Sequence, residues 1–223
     1  MSGGLIWPAT MSSTLSKRCT IRLILVRHGE TSWNQQFRIQ GGSSDTDLSH
    51  NGIDQAQKLG LALKDMDIGA IYSSPLKRAL DTAQAIASHH GLEVQIEPAL
   101  KEMEVGELEG VPIAELGTSF SKYMVEWRQG GGTAKLPGGE SLVDLSDRVW
   151  AAVHSMLEDD KQGNVVLVSH YFVTVAIICR ALGMPVTQVG RVRVQNASIS
   201  TLDFGGKQPS LISLGDTCHL REG

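Results

Sequence analysis

The sequence has little cysteine, no long hydrophobic run and no cluster of basic residues, and each absence removes a class of protein. Its three cysteines, Cys19, Cys179 and Cys218, are too few and too scattered for a disulfide framework or a zinc knuckle, and they fit a reducing, cytoplasmic compartment. No apolar stretch approaches the roughly 20 residues of a membrane-spanning helix, and the N-terminal segment lacks the uninterrupted apolar region of a secretory signal. Lys and Arg occur singly and the net charge is −4, so the basic stripe that nucleic acid or an anionic membrane selects is missing. The expected partner is a small molecule.

What is present is a globular composition. Hydrophobic residues make up 41% and charged residues 20%, which separates the chain from disordered proteins, and 24 glycines imply many turns. A length of 223 residues suffices for one sizeable core, so a single domain over residues 20–223 is expected. Residues 1–19 read as a flexible segment. Residues 1–18 are rich in Ser and Thr and hold Lys17 and Arg18 but no acid, which leaves an organellar leader, or a start at Met11, as alternatives.

Strand and helix patterns alternate along the rest. Ile21–Val26 reads as a strand, followed by a polar loop over residues 28–48. Ser49 opens a helix with Ile53, Ala56, Leu59 and Leu63 on its apolar face. Ile68–Tyr72 is a short strand, after which Ser74 is placed to cap, and Pro75 to begin, a second helix that Gly91 ends. Val94–Ile96 is a further candidate strand, and residues 98–140 look irregular. Ser141 opens an amphipathic helix, Val165–Val168 has the unbroken apolarity of a strand buried on both faces, and a helix over Tyr171–Leu182 follows Ser169-His170. Val192–Val194 and Ser198–Phe204 are candidate final strands. This order predicts an α/β fold, a three-layer α/β/α sandwich with a mostly parallel central sheet.

In open α/β sheets ligands bind beyond the carboxyl ends of the strands. Three polar clusters sit there: Arg27-His28, Ser73 to Arg78, and Ser169-His170. An imidazole is a nucleophile near neutral pH and a guanidinium is a permanent cation with planar donors for a phosphoryl group, so Arg27-His28 suggests phosphoryl transfer through a phosphohistidine. Taken alone, Arg78 would be an ordinary helix charge and His170 a cap. Their shared position after strands gives them a common function.

The chain resembles the histidine phosphatase superfamily, also called the phosphoglycerate mutase-like family. The likeness rests on Leu25-Val26-Arg27-His28-Gly29-Glu30-Thr31 with Trp33-Asn34, Gln40-Gly41, Ser73-Ser74-Pro75-Leu76-Lys77-Arg78-Ala79, Leu100-Lys101-Glu102 and Val168-Ser169-His170. It implies a nucleophilic His28, a phosphate pocket of Arg27, Arg78 and His170, and Glu102 as proton donor; in an in-line transfer a protonated His170 would hold the equatorial oxygens with the two arginines. Asn34, Gln40 and Gly41 would lie along the pocket, and Tyr171 would place a ring beside it. Glu104, two residues on, is the natural rival for the acid, while Glu107, Glu109 and the Gly138-Gly139-Glu140-Ser141 turn are read as structural, as are His50, His89, His90, His154 and His219. The guanidinium groups would supply the charge stabilisation, so no metal or cofactor is expected.

The same family includes cofactor-dependent phosphoglycerate mutases, which carry a Glu-Arg-His-Tyr-Gly pattern. This chain reads Glu102-Met103-Glu104-Val105-Gly106, with the Arg and Tyr missing and an acidic run that would repel a second phosphate. A phosphatase acting on a small phosphorylated metabolite is therefore the expectation, with a mutase, or a non-catalytic binder of phosphorylated ligands, as the alternatives. The segment around Leu100–Gly110 looks most like the small phosphatases of the family, including those for α-ribazole phosphate and those of broad specificity. Trp127 and its flanking segment are a candidate lid.

Overall fold

Alternate residues of Leu23–Val26 and of Val165–Val168 face two separate hydrophobic cores, which is what a sheet covered on both sides requires. In a computed structural model describing residues 22–158 and 163–221, with the backbone alone over residues 118–121 and 158, most of the expected elements appear in order, but the stretch 98–140 that looked irregular holds a helix of 13 residues and a further strand follows residue 204. The elements are β1 (Arg22–Arg27), α1 (Ser32–Gln35), α2 (His50–Leu63), β2 (Ile68–Ser73), α3 (Lys77–Ala87), β3 (Val94–Ile96), α4 (Gly117–Gln129), α5 (Leu142–Glu158), β4 (Asn164–Ser169), α6 (Tyr171–Ala181), β5 (Ile199–Asp203) and β6 (Ser210–Asp216). The N-terminal segment expected to be flexible lies outside the described residues.

The six strands are ordered β3-β2-β4-β1-β5-β6. β1 to β4 are mutually parallel, and β5 runs against both its neighbours. One core joins Ile24, Val26, Ile71, Val166 and Val168 to α2 and α3. The other joins Leu23, Leu25, Tyr72, Val165 and Leu167 to α5 and α6, with Trp127 of α4. The α/β/α sandwich is thus the observed architecture.

Three local expectations change. Ile53 is 47% exposed, and α2 instead buries Gly52, Ala56, Leu59, Gly60 and Leu63. The helix is turned because its glycines admit close backbones: a Cβ on Gly52 would stand 2.0 Å from the Glu30 carbonyl oxygen, and one on Gly60 2.6 Å from that of Ala85. The second helix starts at Lys77, not Pro75, and Ser74 does not cap it. The Lys77 amide donates to Asp45 Oδ1 at 2.7 Å, so a distant carboxylate serves the positive end of α3. Among the described residues Val192–Val194 pairs with no strand, and the last strand is β6. The Val192 and Val194 carbonyls are used by side chains of the site instead.

Candidate active site

Parallel register puts the ends of three strands side by side. Arg27 of β1 is opposite Ser169 of β4, and Ser73 of β2 is opposite Val168. The chain continues this pairing one step further, with the His28 amide on the Ser169 carbonyl at 2.9 Å and the Ser74 amide on that of Val168 at 3.0 Å. His28, Ser74 and His170 therefore emerge together, and the two imidazole rings lie 5.1 Å apart. His170 is the N-cap residue of α6, as expected, though its side chain makes no cap bond.

His28 is 3% exposed. Its Nδ1 lies 2.7 Å from the Gly29 carbonyl oxygen. A carbonyl can only accept, so the proton sits on Nδ1 and Nε2 keeps its lone pair. Burial, reinforced by Arg78 and Arg27, holds this imidazole well below its usual pKa of 6.5. It is neutral and nucleophilic at physiological pH without a separate base.

The two arginines are positioned by backbone carbonyls. Arg27 Nη1 donates to Val194 O at 2.9 Å, and its guanidinium lies 5.5 Å from the centre of the Tyr171 ring, whose hydroxyl in turn donates to Val192 O at 2.9 Å. Arg78 is fully buried and donates to Ser44 O at 2.7 Å and Gly41 O at 2.9 Å. Burial lowers both guanidinium pKa values, that of Arg78 to about 10, and an arginine side chain is a permanent cation in proteins. The Nε atoms of Arg27 and Arg78 and the Nδ1 of His170 are buried without a hydrogen-bond partner. Three unsatisfied polar nitrogens beside one buried imidazole are costly unless an anion completes them.

His170 is expected to be protonated while it holds the phosphoryl oxygens, a state with an anion bound. Burial first, then Arg78, His28 and Arg27, push its pKa well below 6.5, so it is neutral before any anion arrives. Its Nε2 is 2.8 Å from Ser74 Oγ. When that hydroxyl donates to Nε2, Nδ1 carries the proton and becomes a donor for a bound oxyanion.

The carboxylates divide clearly. Glu102 is 4% exposed and accepts from the amides of Met103 at 2.8 Å and Phe172 at 3.2 Å. Burial raises its pKa against the effect of those bonds and of the arginines, which suits a proton donor. For Glu104, burial is outweighed by bonds from Ser43 at 2.7 Å and Lys101 at 3.0 Å, and its pKa is lowered. Glu107 is exposed. Glu109 accepts the Gly41 amide at 2.9 Å.

A cavity of about 260 Å³ opens here, and Arg27, His28, Asn34, Gln40, Glu102 and Tyr171 line it. Asn34 Oδ1 is taken up by Thr31 and by Asn196 Nδ2, at 3.0 to 3.1 Å, so its NH₂ is the end left over. Gln40 is tied to Thr31 and Thr46. Gly41 serves Arg78 rather than the cavity, and a Cβ there would be 2.7 Å from Met103 O, so only glycine fits. Trp127 is buried in the core and forms cavity wall, with Nε1 donating to Ala134 O at 2.7 Å.

Sequence reasoning missed Asn196, Ser74's bond to His170, and Thr82, whose Oγ1 accepts the Gly29 amide at 3.1 Å. Asn196 stands in a turn, where asparagine is common, so its type carried no signal of a site. His219 proves structural, donating to Ala197 O at 3.0 Å.

Residues 23–217 match the model of the histidine phosphatase superfamily (branch 1). A probable phosphoglycerate mutase GpmB of Salmonella choleraesuis is 37% identical over 205 residues, covering 90% of this chain and 95% of that protein. A phosphoserine phosphatase mutant from Entamoeba histolytica, solved with phosphoserine, superposes with a TM-score of 0.79 at 33% identity, over 90% of this chain and all of that one. The α-ribazole phosphatase from Shigella flexneri gives 0.77 at 32%, over 88% and 96%. The chain belongs to the histidine phosphatase superfamily, branch 1.

Proposed function

We propose that this protein is a phosphatase that hydrolyses a small phosphate monoester through a phosphohistidine on His28. The observation that carries the reading is the set of unpartnered buried nitrogens, Arg27 Nε, Arg78 Nε and His170 Nδ1, grouped with an imidazole whose Nε2 is free. A monoester dianion repels a nucleophile until its charge is offset, and two guanidinium groups offset it.

His28 Nε2 attacks phosphorus in line, and the bond from phosphorus to the alcohol oxygen breaks. Glu102 gives its proton to that oxygen, so the alcohol leaves neutral. Water then attacks the phosphohistidine, its proton passes to Glu102, the P–N bond breaks, and inorganic phosphate leaves with both residues restored. His170, bonded to Ser74, stabilises the equatorial oxygens once the dianion has drawn its proton to Nδ1.

The likeness to a probable phosphoglycerate mutase favours a second reading, in which the phosphoryl group returns to a substrate. Against it, Met103 and Val105, within the segment where mutases carry Arg and Tyr, are apolar cavity wall. Phosphate release from a panel of monoesters, compared with isomerisation of 3-phosphoglycerate in the presence of 2,3-bisphosphoglycerate, separates the two. Release without isomerisation is expected, and rapid isomerisation with little release would reverse the assignment.

A further inference from the structure

The cavity is more apolar than phosphoryl chemistry requires. Met103, Val105, Leu108, Trp127, Leu136 and Phe172 line it, and all six belong to or pack against one continuous core. The polar groups carried by this wall are already engaged. Trp127 Nε1 donates to Ala134 O, and the Met103 and Phe172 amides donate to Glu102 itself. The Leu136 amide donates to Glu140 O and its carbonyl accepts from Gly139. Tyr171, between wall and arginine, has its hydroxyl on Val192 O. Apart from Arg27 and His28, the basic side chain in the lining is Arg38, which is exposed and donates to Gln36 Oε1 and Gly110 O.

Apart from the Asn34 NH₂, which is left over on the polar part of the lining, a leaving group bearing hydroxyls or a carboxylate would surrender water against these six side chains without a partner among them, whereas a hydrocarbon group gains by burial. We infer that the alcohol released is apolar: the substrate class is the phosphate monoester of a hydrophobic alcohol, with Met103, Val105, Leu108, Trp127, Leu136 and Phe172 setting that preference. The volume of about 260 Å³ lies below the roughly 300–1,000 Å³ of pockets for drug-sized ligands, so the part nearest phosphorus is one ring or a short chain. This specificity rests on the phosphatase reading.

The test compares benzyl phosphate with glycerol 1-phosphate, both esters of primary alcohols, by kcat/KM. Benzyl phosphate is expected to be favoured about tenfold or more, the discrimination an apolar pocket gives. Leu108→Asn, at a half-buried position, lowers the ratio of the two constants, as does Leu136→Ala, with melting temperatures confirming that each variant folds. Equal constants, preference for the glycerol ester, or a ratio unmoved in both folded variants would overturn the specificity while leaving a phosphatase. Hydrolysis of neither ester, with no phosphorylated His28 formed from either, would overturn the phosphatase reading along with it.

Discussion

The side-chain amide of Asn196 donates to the carbonyl oxygen of His28 at 3.2 Å, across 168 residues of sequence, and to Asn34 Oδ1 at 3.0 Å. The Ala197 amide reaches the same His28 carbonyl at 3.0 Å, with Ala197 itself held at a positive φ of 54°. The turn after residue 194 therefore holds the backbone of His28 and orients the Asn34 amide in one arrangement.

Asn196→Ala removes both bonds. A loss of about 1 kcal/mol of stability is expected, since Ala197 still serves the His28 carbonyl, together with a fall in kcat larger than the change in KM. Thermal melts and steady-state kinetics check this.

Glu102 and Glu104 are separated by environment, so their glutamine variants should differ. Glu102→Gln keeps the shape but not the proton and should cost about 10²-fold or more in turnover, the usual contribution of a general acid. Glu104→Gln removes only the links to Ser43 and Lys101 and should leave turnover within a few-fold. Loss in the second variant alone would move the acid to Glu104.

The pH profile of kcat/KM follows from opposite shifts. Burial with Arg78 and Arg27 holds His28 well below 6.5, so the acid limb, where Nε2 takes up a proton, lies below that pH. Burial raises Glu102 above 4.5, so the alkaline limb, where it loses its proton, lies above that pH. Glu102→Gln should abolish the alkaline limb and retain the acid one, once ionisation of the substrate is allowed for.

Stability follows pH by the same groups. Folded His28 and His170 bind protons less readily than unfolded ones. Their contribution is therefore complete above 6.5 and is lost as pH falls toward their folded values, at up to about 1.4 kcal/mol per pH unit for each. Glu102, raised, acts in the opposite sense: its contribution is present below 4.5 and is lost as pH rises through its folded value. With two histidines against one carboxyl, melting temperature should fall between about pH 7 and pH 5. His28→Asn should flatten that fall.

The fold was legible in the sequence, and strand ends, where such sheets bind ligands, brought His28, Arg78 and His170 forward as candidates, whereas Glu102 stood among Glu104, Glu107 and Glu109 and was singled out only by the family resemblance. The supports were not legible. Asp45 reaches the start of α3, and Asn196 the back of His28, only because the sheet and its loops bring distant segments together. The rotation of α2 depended on backbone contacts at Gly52 and Gly60, which hydrophobic periodicity does not register. The apolar wall comes largely from residues 98–140, where single turns of helix carry Leu108 and connecting segments carry Met103, Val105 and Leu136, and where α4, which carries Trp127, was not legible.

The most direct test of the mechanism is to quench the enzyme during turnover of a ³²P-labelled monoester and locate the label by mass spectrometry. The account predicts one acid-labile, alkali-stable phosphoryl group on His28, absent from His28→Asn. Label on another residue, or full turnover by His28→Asn, would contradict it.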